Sequence, residues 1–125
     1  RLIESKLPQP TRQQLMKKFM KFCINELQLK QPIKCKIKLT NDKSKTQTYG
    51  HYAPGSGEIV VYMGERSLGD ACRTLVHELC HHKQNLEGRL KENSGKDGSP
   101  EENEANSTAG IVMRKFAKLH PEILE

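Results

Sequence analysis

The sequence predicts an α+β fold, because stretches with helical periodicity enclose a region with strand-like alternation. Apolar residues recur every three or four positions before Pro32, after Ser67 and after Ser99, as they do on one face of a helix. Between Pro32 and Ser67 they alternate with polar residues or form a short β-branched run, which is typical of strands. The expected order is an N-terminal helix, a small, mainly antiparallel three-stranded sheet, and two further helices.

Length and composition indicate one domain. The chain has 125 residues and a hydrophobic fraction of 34%, which suffices for one modest core. We therefore expect a single domain over residues 1–125, with residues 1–10 as an extended lead-in. No apolar run is long enough to span a membrane. Four cysteines without a CxxC pair or a secretory signal predict reduced thiols and a cytoplasmic protein.

The formal net charge of +6 indicates a solvated basic surface or a surface for an acidic partner such as nucleic acid. Many lysines lie between Lys17 and Lys45, but without the interleaved aromatic residues that are typical of RNA-binding surfaces. Nucleic acid is therefore a candidate partner that the charge alone does not establish. The sequence carries no signal for the oligomeric state.

The first helix is expected to begin at a capping box formed by Thr11 and Gln14 and to end near Pro32. Its apolar stripe is typical of core packing. The stripe comprises Leu15, Met16, Phe19, Met20, Cys23 and Leu27.

Three strands are predicted in the central region, over residues 33–39, 46–53 and 58–63. The last two are joined by the turn Pro54-Gly55-Ser56-Gly57 and should form a hairpin. Lysines alternate with apolar residues in the first strand, so they should face solvent on an edge of the sheet.

The second helix is expected to run from an N-cap at Ser67 to about Gly88. His77 and His81 project from the side nearly opposite its apolar face. The apolar face comprises Leu68, Cys72, Leu75, Leu79 and Leu86. The polar face also carries Asp70, Arg73 and Gln84.

The last helix has the clearest start in the sequence. A glycine- and lysine-rich segment from Gly88 to Ser99 predicts a mobile loop. Ser99 as the N-cap, Pro100 at the first helical position and Glu102 at the third then predict a helix, which should end at His120. Its buried stripe comprises Ala105, Ala109, Val112, Met113 and Phe116.

The second helix carries the motif His77-Glu78-x-x-His81. Residues four apart lie on one face of a helix, so the two imidazoles can bind one tetrahedral Zn²⁺ that keeps an open coordination position. Glu78 would lie beside that position and act as general base towards a water molecule. The motif therefore predicts a zinc cofactor and a metal-dependent hydrolase.

A catalytic zinc site usually has a third protein ligand, and the acidic start of the last helix is the candidate region. Glu104 lies about one turn into the helix, at the edge of the apolar stripe, and Glu101 competes with it on a similar face. Glu102 is better explained as the glutamate of the capping box. Each of the three could also serve only the helix dipole.

These residues resemble a known group. His77-Glu78-Leu79-Cys80-His81, followed by Asn103-Glu104-Ala105-Asn106, resembles the glutamate-zincin metallopeptidases (gluzincins), thermolysin-like enzymes included. The compact spacing Glu102-x-Glu104-Ala105-Asn106-x-x-Ala109 is similar to the small ImmA/IrrE-like peptidases. The hairpin before Thr74–Leu79 is similar to that of SprT-like minimal zincins. The resemblance covers roughly residues 46–118 and depends on two short motifs.

The resemblance implies a minimal zincin fold and a zinc metallopeptidase with a peptide or protein substrate. It implies Glu104 as the third ligand, Glu78 as the general base, and the strand at residues 58–63 as the cleft edge to which an extended peptide adds. Thermolysin-like enzymes carry an Asp four residues after the ligand Glu, where this chain has Thr108. The hydrogen-bond partners that orient the zinc histidines should therefore come from residues other than position 108.

Some roles stay open in the sequence. His82 is expected to be packed and hydrogen-bonded, and Cys80 to be a small core residue, rather than metal ligands. The alternative to an enzyme is a regulatory or nucleic-acid- or protein-binding module with structural or vestigial zinc, although closed structural sites usually have four ligands. The candidates for stabilising an oxyanion, which the sequence does not rank, are His51, Tyr49, Tyr52, Arg114 and His120.

Overall fold

The structure, a computed structural model, describes residues 9–31, 33–43, 48–92 and 94–124, with side chains from residue 12 onwards. Three helices and a three-stranded sheet lie within these residues and confirm the α+β class. A short 3₁₀ helix, Pro121–Leu124, follows them. In chain order the main elements are α1 (Gln9–Glu26), β1 (Lys36–Thr40), β2 (Gly50–Ala53), β3 (Glu58–Tyr62), α2 (Leu68–Leu86) and α3 (Pro100–Leu119).

Helix α1 begins slightly earlier than predicted and ends earlier. Its first residue is Gln9, and the predicted cap residue Thr11 has a side chain that lies outside the described part. The helix ends at Glu26 rather than near Pro32 because Gln28 adopts a φ of 56°, a left-handed conformation that terminates helices. The predicted stripe is confirmed: Leu15, Met16, Phe19, Cys23 and Leu27 are buried, and Met20 is partly buried against them.

The sheet is mixed, with strand order β1-β3-β2. Strands β2 and β3 form the predicted antiparallel hairpin, whereas β1 pairs with the other edge of β3 in parallel. The β-branched strand β3 therefore lies in the centre. Lys36 and Lys38 of β1 are exposed, as expected for an edge strand, and residues 46–47 of the predicted second strand lie outside the described part.

The central position of β3 corrects one expectation. Residues 58–63 were expected to form the cleft edge, which is wrong, because both edges of β3 are paired. Strand β2 lies at the edge of the sheet and follows α2 along its length. Gly50 approaches Thr74, and the side chain of Asn85 donates a hydrogen bond to the Pro54 carbonyl oxygen.

Helix α2 lies between α3 and the sheet and contributes most to the core. The predicted caps of α2 and α3 are confirmed, since Ser67 Oγ accepts from the Asp70 amide and Ser99 Oγ from the Glu102 amide, both at 3.1 Å. Leu86 is 61% exposed, so its expected place in the apolar face is wrong. The predicted stripe of α3 is confirmed, because Ala105, Ala109, Val112, Met113 and Phe116 are all buried.

Within the part of the chain that the structure describes, no helix combines the length and the apolar character needed to cross a membrane. All four cysteines are free thiols, in agreement with the expected reduced state.

Candidate metal centre

Three side chains from two helices converge at the base of a cleft. His77 and His81 extend from α2, and Glu102 extends from the first turn of α3. Glu102 Oε1 lies 3.0 Å from His77 Nε2, and Glu102 Oε2 lies 3.0 Å from His81 Nε2. One ligand atom of each residue lies within 4.8 Å of the others, so the three could hold one metal ion.

The third member of this cluster is Glu102 and not the expected Glu104. Glu104 Oε1 accepts hydrogen bonds from Gln84 (2.7 Å) and Arg89 (3.0 Å), on a different side of α3 from Glu102. The competitor Glu101 is also engaged elsewhere, because its Oε1 accepts a hydrogen bond from Ser94 Oγ at 2.8 Å. Glu102 alone among the three carboxylates faces both imidazoles.

The capping box explains why Glu102 was assigned another role. Half of the motif is present, since the Ser99 side chain accepts from the Glu102 amide. The other half is replaced, because the Ser99 amide donates to the Lys96 carbonyl oxygen at 3.1 Å instead of to a glutamate side chain. Because a loop carbonyl oxygen already accepts from the Ser99 amide, the Glu102 carboxylate is not needed for that bond and is available to the histidines.

The loop before α3 is more structured than the expected mobile loop. Ser94 is only 1% exposed. Its hydroxyl accepts from the Lys91 amide and donates to Glu101, and its carbonyl oxygen accepts from the Ser99 hydroxyl. These bonds attach the described part of the loop to the first turn of α3, which carries Glu102.

Gln84 fixes the tautomer of neutral His81. The side chain of Gln84 is fully buried, and its Nε2 donates to the Glu101 carbonyl oxygen (3.0 Å) and to Glu104 (2.7 Å). Its Oε1 therefore faces His81 Nδ1 at 2.8 Å. Because an amide oxygen only accepts, the proton lies on Nδ1 and neutral His81 presents a bare lone pair at Nε2.

That lone pair faces an acceptor. Glu102 Oε2 lies 3.0 Å from His81 Nε2, and two acceptors at this distance need a proton or a metal ion between them. Burial lowers the pKa of the neighbouring His77, and the charge of His81 lowers it further, whereas Glu102 and a hydrogen bond donated to Asn106 oppose this effect. The neutral imidazole is the form that binds metal ions, so the donor set fits a divalent cation such as zinc.

The second helix also supplies a carboxylate beside this cluster. Glu78 is 8% exposed, and burial raises the pKa of its carboxyl to about 7, with His81 opposing the rise and Glu102 adding to it. A carboxyl poised near neutral pH can both accept and donate a proton. Glu78 lines the same cleft as His77 and His81.

The cluster opens into a cleft of about 760 Å³, the size of a typical ligand site. Strand β2 forms one wall, and the described loop residues 90–92 and 94–95 form part of the other. Gly50 is required where β2 approaches α2, because a Cβ there would lie 2.5 Å from Thr74 Cγ2 and 3.0 Å from the Val60 carbonyl oxygen. A narrow gap between the edge strand and the helix places the strand directly beside Glu78.

The structure also places His82, Cys80 and the candidate oxyanion-stabilising residues. His82 is packed and hydrogen-bonded as predicted, with its Nδ1 2.9 Å from the Tyr52 hydroxyl, and Cys80 is buried. That hydroxyl also accepts from Asn85, so Tyr52 is engaged in packing β2 on α2. Tyr49 and His51 line the cleft, whereas Arg114 and His120 do not.

Sequence reasoning missed three residues of this site. Gln84 and Asn106 hydrogen-bond the two histidines, and Ser94 positions the loop. The available signal was spacing: Gln84 follows His81 by one helical turn, and Asn106 follows Glu102 by one turn.

Comparisons of the chain with protein-family models, curated proteins and solved structures found no match.

Replacing Gln84 by Leu should weaken the binding of a divalent metal such as zinc by about 10- to 100-fold, the usual cost of losing a partner behind a metal ligand. The variant removes the acceptor that keeps the proton of His81 on Nδ1. Competition with a chromophoric chelator measures the affinity, and Lys83→Leu on the same turn is the control. Unchanged zinc affinity in Gln84→Leu would show that Gln84 does not orient His81.

Proposed function

We propose that this chain is a zinc metallopeptidase of the gluzincin type, with His77, His81 and Glu102 as the metal ligands. The observation that carries the proposal is the convergence of these three donors within 4.8 Å beside a buried glutamate, at the base of an open cleft. Three protein ligands leave a coordination position for solvent, which is the pattern of catalytic zinc sites.

Each residue of the site would have a separate role in peptide hydrolysis. When bound by the three ligands, zinc would supply Lewis acidity towards a water molecule and a carbonyl group. Glu78 accepts the proton of that water and passes it to the leaving amine. Its buried position in the cleft, beside the two histidines, suits both transfers. Gln84 orients the imidazole of His81 through Nδ1, and Asn106 hydrogen-bonds the imidazole of His77.

Strand β2 supports a peptide as the substrate. It is an edge strand of the sheet, and its residues from Gly50 to Tyr52 line the cleft. An extended peptide can hydrogen-bond to such an edge as an additional strand, which would bring its backbone across His77 and Glu78. A reducing compartment such as the cytoplasm is proposed because the four thiols are free.

Metal removal tests the proposal. The purified chain should bind one zinc ion and cleave an unfolded protein such as casein, and a chelator should abolish cleavage. Adding back one equivalent of zinc should restore it. The readouts are metal content by mass spectrometry and fragments on a gel. Zinc binding with no cleavage of any unfolded protein or peptide library would instead support the regulatory module.

A further inference from the structure

The guanidinium of Arg73 has no ion pair or hydrogen bond among the described residues. Arg73 lies on α2 one turn before His77 and lines the same cleft. Two other arginines near the site are engaged, since Arg66 donates to Thr74 Oγ1 and Arg89 donates to Glu104. Arg73 therefore has its donors free to bind a ligand.

Arg73 lies three residues after Asp70 on α2, and among the described residues these two side chains form no ion pair. The Arg73 guanidinium reaches α3, where a Cβ on Gly110 would lie 3.9 Å from one of its terminal nitrogens. The other residues that line this end of the cleft are uncharged: Thr48, Thr74, Asn106 and Ala109. At the opposite end Lys91 and Glu92 carry opposite charges. The other carboxylates of the cleft, Glu78 and Glu102, lie beside the histidines, so Arg73 is the charged residue at the Thr74 end of the cleft.

The direction of Arg73 separates it from the bond-breaking chemistry. Side chains on a helix lean towards its N-terminus, so the guanidinium points away from His77. It should therefore contact a part of the substrate beside the scissile bond and not the scissile carbonyl. A free guanidinium at such a position favours a carboxylate, which it can bind through two parallel hydrogen bonds.

The course of β2 and the greater stability of antiparallel pairing together indicate which side of the substrate reaches Arg73. The strand runs along α2 from Gly50 opposite Thr74 to Pro54 opposite Asn85. A peptide that pairs with this edge in the antiparallel sense runs the other way. Its C-terminal part then lies at the Thr74 end of α2, which is also the Arg73 end.

We propose that Arg73 is a specificity-determining residue that selects a carboxylate on the C-terminal side of the scissile bond. The carboxylate belongs either to an acidic side chain or to the C-terminus of the substrate. The inference rests on the proposed peptidase function and names a substrate class for it.

Charge reversal tests this assignment. A set of fluorogenic peptides would differ only in Glu, Gln or Lys at each position after the scissile bond, each with a free or an amidated C-terminus. The wild type should cleave a carboxylate-bearing peptide with a kcat/KM about tenfold above that of its neutral match, as expected for one charge-assisted contact. Arg73→Glu should reverse the preference towards Lys, and Arg114→Glu, which carries the same charge change outside the cleft, should not.

Binding measurements separate this proposal from the proposed function. Fluorescence anisotropy with the uncleaving Glu78→Gln variant, alone and combined with Arg73→Glu, reports the charge preference without turnover. If no peptide is cleaved but the preference reverses with Arg73→Glu, the peptidase proposal fails and the carboxylate site stands. If both proteins bind the Glu, Gln and Lys peptides equally, Arg73 selects no carboxylate. A preference confined to free C-termini identifies the terminal carboxylate as its target.

Discussion

Replacing Glu102 by Gln should reduce zinc affinity by more than about 100-fold, beyond the loss of about 10- to 100-fold that follows removal of a supporting partner. The carboxylate of Glu102 faces both imidazoles at 3.0 Å, and a neutral amide is a poor zinc ligand. The two histidines would then hold the ion alone. Zinc affinity by chelator competition and metal content after dialysis both measure this loss.

Glu104→Gln is the matched control for that experiment. It makes the same chemical change on the same helix, at a residue whose carboxylate bonds to Gln84 and Arg89 and not to the histidines. Zinc affinity should change at most a few-fold, through the contact with Gln84. The opposite result, with zinc lost in Glu104→Gln and kept in Glu102→Gln, would restore Glu104 as the ligand.

Replacing Glu78 by Gln should lower kcat by about 100- to 10,000-fold, the range expected for loss of a general acid–base group, while zinc stays bound. Gln has the shape of Glu but cannot take a proton from water at neutral pH. Glu78 is not among the three residues that converge as ligands, so metal affinity should remain within a few-fold of the wild type.

The control for Glu78 is Glu92→Gln, which alters another carboxylate of the same cleft away from the histidines. Its kcat should equal that of the wild type. Zinc content must be measured in each preparation, so that lost activity is not mistaken for lost metal. Wild-type turnover in zinc-loaded Glu78→Gln would remove Glu78 from the mechanism.

Local signals made most of the fold predictable. Ser67 and Ser99 marked the helix starts because the capping bond joins residues only three positions apart. The hairpin of β2 and β3 followed from its turn residues. The partner of β1 was not predictable in this way. Strand β1 pairs with β3, for example Ile37 with Ile59, and not with β2, which follows it in the sequence. No local pattern encodes that choice.

The site, like the fold, was predictable where local geometry determines it and not where tertiary packing does. His77 and His81 were identifiable because helical geometry alone places them on one face. The choice between Glu102 and Glu104 depends on how α3 is rotated against α2, which is a property of tertiary packing. Gln84 was assigned to the polar face, yet it is fully buried, since α3 covers that side of the helix.

The location of Glu102 in the first turn of α3 has a thermodynamic consequence. Helix ends open more readily than helix centres, and an ion shared by α2 and α3 would cross-link this end to the core. Folding and zinc supply would then be linked: free zinc at 100 times its dissociation constant would add about 2.7 kcal/mol to the free energy of unfolding. A cell that withholds the metal would thereby make the whole chain easier to degrade.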